Sequence, residues 1–181
     1  MLGPGGAAMK RRIGVIALVG GAGFVTMEAV SYATHRWLMH GRGMPWHRSH
    51  HPPSDGGFEK NDLFPATFAA GAIAVFAVAA AKPRRAPLRW AAAGVTTYGV
   101  CYACVHELYV HRRVGLRLPR WRYLRWLEDS HRIHHLYAGE PYGMLLPIVR
   151  PELRHRAAAS PRAPWPRRSS SSASRASRPR L

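Results

Sequence analysis

The chain has 181 residues, room for one compact domain and little more. Its 27 Lys and Arg against 9 Asp and Glu give a formal charge of +18, yet 47% of the residues are hydrophobic and only 20% are charged. A uniformly basic nucleic-acid domain is excluded because charge and apolar residues lie in different places; two Cys and aperiodic Gly exclude a disulfide framework and a collagen-like fibre.

In chain order, Lys10, Arg11 and Arg12 precede an apolar run from Ile13 to about Ala33, 21 residues with Glu28 as its one charge. A bilayer core of about 30 Å needs roughly 20 helical residues, so this run is long enough to span. It reads as a retained span rather than a signal peptide, because no small-residue cleavage site precedes a polar sequence and the run continues into histidines. The run Gly20-Gly21-Ala22-Gly23 inside it suits close helix packing. Glu28 stands seven residues before His35, and a carboxylate at membrane depth is costly enough to mark a function. Two readings stay open for it: holding a ligand imidazole from behind, or snorkelling to the interface and pairing with an Arg.

A second apolar run, Leu63–Ala81, has 19 residues and no charge. A third, from about Trp90 to Val105, has 16 uncharged residues, and Pro87 and Leu88 extend it beyond Arg89. Cys101 and Cys104 lie within it and read as buried small hydrophobes rather than as a redox or metal pair. The stretch Arg112–Arg132 interleaves cations with Trp121, Tyr123 and Trp126, which reads as an interfacial belt, with docking of an acidic electron donor as the alternative. Low complexity begins near Arg156, giving a membrane-integral domain over residues 1–155 and a disordered basic tail over 156–181. Such a tail either rests on anionic lipid headgroups or is simply solvated. The expected fold is all-α, a multi-pass transmembrane helical bundle.

Ten of the 11 His fall in two windows that together cover about a quarter of the chain. HRWLMH (35–40) is His-x4-His and HRSHH (47–51) is His-x2-His-His; HELYVH (106–111) and HRIHH (131–135) repeat that order. On a helix of 3.6 residues per turn, positions i, i+3 and i+4 share a face, so His47, His50 and His51 are expected to point at one locus, and His131, His134 and His135 at another. Positions i and i+5 stand about 140° apart, so His35 with His40, and His106 with His111, share a centre only where a helix ends or bends. Gly41, Gly43 and Gly115 supply such points. Neutral imidazole ligates iron, zinc or copper, and ten His are enough for two ions; the spacing does not name the metal.

Two apolar runs separate the windows, so an even number of crossings returns the chain to one side, where both windows can meet. Without the tail, that side carries 11 Lys and Arg against 7 on the other, which places the histidine face in the cytoplasm by the positive-inside rule, although the Lys10–Arg12 flank argues the opposite way. An open metal site against the bilayer suits activation of dioxygen and attack on an unactivated C–H bond of a lipid. A membrane metal carrier or sensor is the alternative from another class; it predicts His along a path within the spans, whereas every motif His lies at or beyond a span's end. A nucleic-acid role for the basic tail is a third.

The doubled histidine series resembles the fatty acid hydroxylase/sterol desaturase superfamily. Together with MEAVSYATHRWLMHG (27–41), WHRSHH (46–51), FEKNDLF (58–64), VHELYVHRR (105–113) and YLRWLEDSHRIHH (123–135), it resembles more closely the bacterial β-carotene 3-hydroxylases, over about residues 10–150. The resemblance implies a multi-pass membrane protein with a non-haem di-iron centre. It further implies hydroxylation of C3 and C3′ of β-ionone rings, β-carotene to β-cryptoxanthin to zeaxanthin, with one O2 and two electrons per hydroxyl from reduced ferredoxin or a similar donor. Some relatives also accept 4-keto rings. Carried over position by position, His35, His40, His47, His50, His51, His106, His111, His131, His134 and His135 are iron ligands or ligand candidates, not all of which need bind directly. Relatives often have Asp where this chain has Glu107; both are acidic. Within the same superfamily, a fatty-acyl or sterol hydroxylase or desaturase is the alternative activity.

Overall fold

The computed structural model describes residues 4–51, 57–81, 83–114, 116 and 118–160. Every regular element among them is helical, with no strand. Helix α1 (Pro4–Ala33) runs for 30 residues and continues as a π-helical turn over Thr34–Arg42. A short helix α2 (Met44–His47) and a 3₁₀ turn (Arg48–His50) follow. A second 3₁₀ turn, Lys60–Asp62, opens α3 (Leu63–Ala80), where Pro65 is tolerated because it falls in the first turn. After the turn Pro83–Arg85, α4 (Ala86–Ala103) passes directly into a second π-helical turn, Cys104–Val110. Helices α5 (Arg122–Tyr137) and α6 (Pro151–Ala159) complete the chain, and both α4 and α6 place Pro in the first turn, where its missing N–H leaves no partner unsatisfied.

Helices α1 and α3 both pack against α4 and, among the described residues, not against each other. Close approach of α1 to α4 depends on glycine: a Cβ at Gly94 would lie 1.9 Å from the Gly20 carbonyl oxygen, and one at Gly23 would lie 2.6 Å from that of Ala91. Gly20 and Gly23 thus serve the packing expected of them, while Gly21 faces open space.

Two stretches, Gly6–Arg42 and Lys60–Ala80, are long and apolar enough to cross a membrane. They turn Ile13, Leu18, Val25, Ile73 and Val78 outward. The third expected span, α4, does not reach that hydropathy, because Arg89, Thr96 and Thr97 interrupt it; it is the central helix on which the other two lean.

Helix α6 docks on α5 through Ile133, Val149 and Ala157, with Tyr137 and Leu153 alongside, and the Arg156 guanidinium lies 4.8 Å over the Tyr137 ring. These contacts keep residues 156–159 helical, four residues past the expected start of the tail. The remainder of that tail, from residue 161, lies outside the described residues.

Candidate metal centre

Both His-x4-His motifs fall in the two π-helical turns. A π turn closes i→i+5 hydrogen bonds, as His111 N to His106 O at 2.9 Å and Gly43 N to Leu38 O at 2.7 Å do here. The wider winding brings residues five apart onto one face. Ring centroids of His35 and His40 are 5.1 Å apart, and those of His106 and His111 4.6 Å. The bend expected near Gly41 is present, with non-helical φ −107° and ψ −119°, but the π winding is what pairs the rings. Gly115 lies outside the described residues.

The ring nitrogens form two groups of four, each with all members within 4.8 Å of one another: His35, His40, His47 and His134 in centre A, and His50, His111, His131 and His135 in centre B. The expectation that each His-x2-His-His triad points at one locus is corrected. In α5, i+4 stands about 40° to one side of i and i+3 about 60° to the other, so His134 faces away from the target of His131 and His135; around His50 the chain passes from α2 into a 3₁₀ turn, and there too the i+3 histidine joins the other group. Each half of the chain therefore gives three ligands to its own centre and its i+3 histidine, His50 or His134, to the other. His51 and His106 flank the groups: the His51 Nε2 is 3.2 Å from His47 Nε2, and the His106 ring stacks on His50 at 4.6 Å.

The Nε2 atoms of these histidines face inward, and hydrogen-bond partners of Nδ1 fix that orientation from behind. Nδ1 of His35 donates to the Tyr142 carbonyl (2.9 Å), that of His47 to Asn61 Oδ1 (2.8 Å), that of His50 to Glu59 Oε2 (3.1 Å), that of His106 to Glu107 Oε1 (2.6 Å) and that of His134 to the Gly139 carbonyl (2.5 Å). With Nδ1 carrying the proton, Nε2 presents a lone pair. Nε2 atoms then meet in pairs at 3.2 Å (His35–His47), 3.4 Å (His40–His134), 3.0 Å (His111–His131) and 2.9 Å (His131–His135), and His50 Nε2 is buried with no protein partner. Where both Nδ1 atoms carry their protons, as in His35 and His47, the two facing Nε2 lone pairs do not bond each other. A metal–imidazole distance of about 2.1 Å sets neighbouring ligands about 3.0 Å apart in an octahedron and about 3.4 Å in a tetrahedron, so the Nε2 spacings fit a cation in each group.

Burial keeps the imidazoles neutral, as ligation requires. It lowers His47 to about 3, His51 to about 4 and His135 to about 2, with neighbouring histidines adding to the effect, and it drives His111, His131 and His134 down as well.

Arg113 ties the supporting carboxylates together. Its guanidinium donates to Asp62 Oδ1 (2.9 Å) and Glu107 Oε2 (2.7 Å) and stands 4.0 Å from Glu59 Oε1. Arg112, at φ 51°, turns the chain back so that Arg113 reaches them. These carboxylates hold His50 and His106, so one cation braces two imidazoles of the centre. Sequence reasoning did not assign roles to Glu59, Asn61 or Arg113; the available signal was FEKNDLF, two carboxylates and an amide packed beside an apolar run.

Among the described residues, Glu28 touches no imidazole directly and pairs with no Arg. Its carboxylate accepts from Tyr98 Oη (2.7 Å) and from the backbone N–H groups of Met144 (3.2 Å), Leu145 (3.2 Å) and Leu146 (2.9 Å). Cys101 is half-buried and Cys104 exposed, not both buried as expected, and neither belongs to a histidine group. His155, the one histidine outside the motifs, is exposed on α6.

Between α1 and α3, floored by α4, lies a cavity of about 640 Å³. Its walls are mostly apolar, including Phe64, Phe68, Phe76 and Val95, and one end is closed by His35, Glu107 and Arg113. Tyr102 also lines it and stacks on the His106 ring at 5.1 Å. From Phe64 to Phe76 the slot follows α3 for about 18 Å.

Residues 21–149 match the fatty acid hydroxylase family. A β-carotene hydroxylase of Pseudescherichia vulneris is 46% identical over 116 residues, 64% of this chain and 65% of that protein. One from Pantoea ananas is 41% identical over 121 residues, covering 65% and 68%. A chloroplastic β-carotene 3-hydroxylase of Arabidopsis thaliana is 34% identical over 147 residues, 78% of this chain and 48% of the plant protein. No solved structure matches the chain.

Proposed function

The chain belongs to the fatty acid hydroxylase family, and we propose that it is a membrane-bound β-carotene 3-hydroxylase using two iron ions. The observation that carries this reading is a pair of four-histidine groups, one of which reaches a long apolar slot through His35. Iron in the two groups would supply the activation of O2 that an unactivated C–H bond demands.

The protein's own residues do the rest. His35, His40, His47 and His134 would hold one ion and His50, His111, His131 and His135 the other, with His51 and His106 alongside. Asn61, Glu59 and the carbonyls of Tyr142 and Gly139 keep the inward nitrogens unprotonated. The slot aligns a rigid hydrocarbon with its ring toward His35, and its apolar walls keep water from the reacting carbon. Its flanks, α1 and α3, do not touch each other, which leaves a side open toward lipid for a substrate dissolved in the bilayer.

The outward apolar faces of α1 and α3, both leaning on α4, support a place in the cell membrane as a multi-pass bundle. The histidine end faces the cytoplasm by its excess of Lys and Arg. Electrons would come from a ferredoxin-type donor, for which exposed Arg120, Arg122 and Arg125 at the start of α5 offer a cationic face.

Expression in a β-carotene-producing host, with pigment analysis, tests the activity. Zeaxanthin from the native chain and none from His134→Ala is the expected result. Unmodified β-carotene alongside an oxidised acyl lipid would replace the carotenoid reading with the acyl one.

A further inference from the structure

We propose that Glu28 is a positioning residue for centre A, acting through the loop that follows α5 and resting on the two-ion reading above. The loop from Gly139 to Leu146 carries two of the three orienting contacts described for that centre: the Gly139 carbonyl accepts from His134 Nδ1 and the Tyr142 carbonyl from His35 Nδ1, the third being Asn61 behind His47. Ala138, in the left-handed conformation at φ 48°, turns the chain out of α5 so that Gly139 faces back on His134. The Tyr142 ring lies 5.4 Å from His35, 5.1 Å from His40 and 5.9 Å from His134, so it covers the same centre.

A carbonyl can fix an imidazole only as well as its own backbone is fixed. Three successive backbone N–H groups just beyond Tyr142, those of Met144, Leu145 and Leu146, converge on the Glu28 carboxylate, and Tyr98 from α4 holds the same carboxylate from the other side. One ionised side chain thereby pins the loop to α1 and α4 by four hydrogen bonds, three of them charge-assisted backbone contacts. The fit is close: a Cβ at Gly143 would lie 3.0 Å from Glu28 Oε1. Centre B draws its described support from elsewhere in the fold: Glu59 accepts from His50 Nδ1, and the His51 carbonyl faces His135 Nδ1 at 3.4 Å.

Glu28→Gln keeps the size but turns one acceptor oxygen into an NH2 donor and removes the charge: with the NH2 toward Tyr98, whose hydroxyl then accepts, the Leu145 N–H loses its acceptor, and in the other orientation the Met144 and Leu146 N–H groups lose theirs. Loss of outer support typically costs about 10- to 100-fold in metal affinity. In detergent- or nanodisc-purified full-length protein, iron per chain and Mössbauer spectra are read for wild type, Glu28→Gln and Glu28→Ala. The expected result is two ions in wild type and one tightly held ion in both variants, with one of the two spectral components retained unchanged. Glu28→Gln/His35→Ala should still hold one ion, and Glu28→Gln/His131→Ala none. Two ions held with unaltered affinity in Glu28→Gln, or equal weakening of both, would overturn the proposal. A wild type that does not bind two ions would instead remove the reading on which it rests.

Discussion

Replacing His134 by alanine tests the interleaving of the two centres, because sequence and space disagree about which centre it serves. His134 sits between His131 and His135 in HRIHH, yet its Nε2 is 3.4 Å from that of His40 and it shares a group with His35 and His47. Removal of one of four imidazoles is a larger change than loss of an outer partner, which itself costs about 10- to 100-fold in affinity. The affected ion should therefore weaken by more than 100-fold, above about 2.8 kcal/mol at 1.4 kcal/mol per decade. The double variants separate the possibilities. His35→Ala/His134→Ala damages one centre twice and should keep one iron per chain; His131→Ala/His134→Ala damages both and should keep none. Iron is measured by elemental analysis after equilibration with a chelator of intermediate strength. The reverse pattern, one ion retained in the 131/134 pair and none in the 35/134 pair, would refute the spatial assignment and restore grouping by sequence motif.

Three further outcomes follow from the same geometry. Gly99 lines the slot and a Cβ there meets nothing within 4 Å, so Gly99→Leu should fold and load iron normally while lowering carotenoid turnover by more than about tenfold; Gly94→Ala, whose methyl would lie 1.9 Å from the Gly20 carbonyl oxygen, should destabilise the α1–α4 pair by about 1–3 kcal/mol or more in thermal unfolding. Asn61→Ala, which leaves His47 Nδ1 without its acceptor, should weaken the ion of centre A, and Glu59→Ala, behind His50, that of centre B, each by about 10- to 100-fold in chelator competition. Burial lowers His47 to about 3 and His51 to about 4, so the unfolded chain, with ordinary histidines near 6.5, binds more protons than the fold between those values. Stability of the metal-free protein should then be full above pH 6.5 and fall steadily as pH drops toward 4, and iron should be released over the same window; unfolding temperatures that are flat from pH 7.5 to 4.5 would contradict this.

The histidines were legible because a metal site repeats its chemistry in the sequence: ten residues of one type in a doubled order. Their conformation was not. Regular 3.6-residue winding forbids the pairing of i with i+5, and nothing in HRWLMH or HELYVH announces a π turn; sequence reasoning could say only that the helix must break its rule there. The angle between i+3 and its neighbours was available in principle, but which centre lies on that side depends on where the other half of the chain packs. Glu28 stood out for its cost at membrane depth, while its partners, three backbone amides more than a hundred residues away, carry no side-chain signature at all. Glu59 and Asn61 were visible only as part of a polar stretch, since a carboxylate that holds His50 and one that merely faces water look alike before the fold joins them.

The exchange of His50 and His134 between the halves has a physical consequence for how the protein holds together. Neither the segment around His35–His51 nor that around His106–His135 completes a four-histidine group alone, so each ion binds only when the two are docked. The free energy of metal binding is then also free energy of docking, applied twice at one interface. Half of the six largest fully buried side chains are histidines, His47, His106 and His134, and the apolar cluster of α5 and α6 lies to one side. Burying so many imidazoles with their lone pairs turned toward one another is unfavourable in the absence of cations. Ions held in the two groups would therefore be structural as well as reactive, and Arg113, which braces His50 through Glu59 and His106 through Glu107, stands where the two halves meet beside the slot.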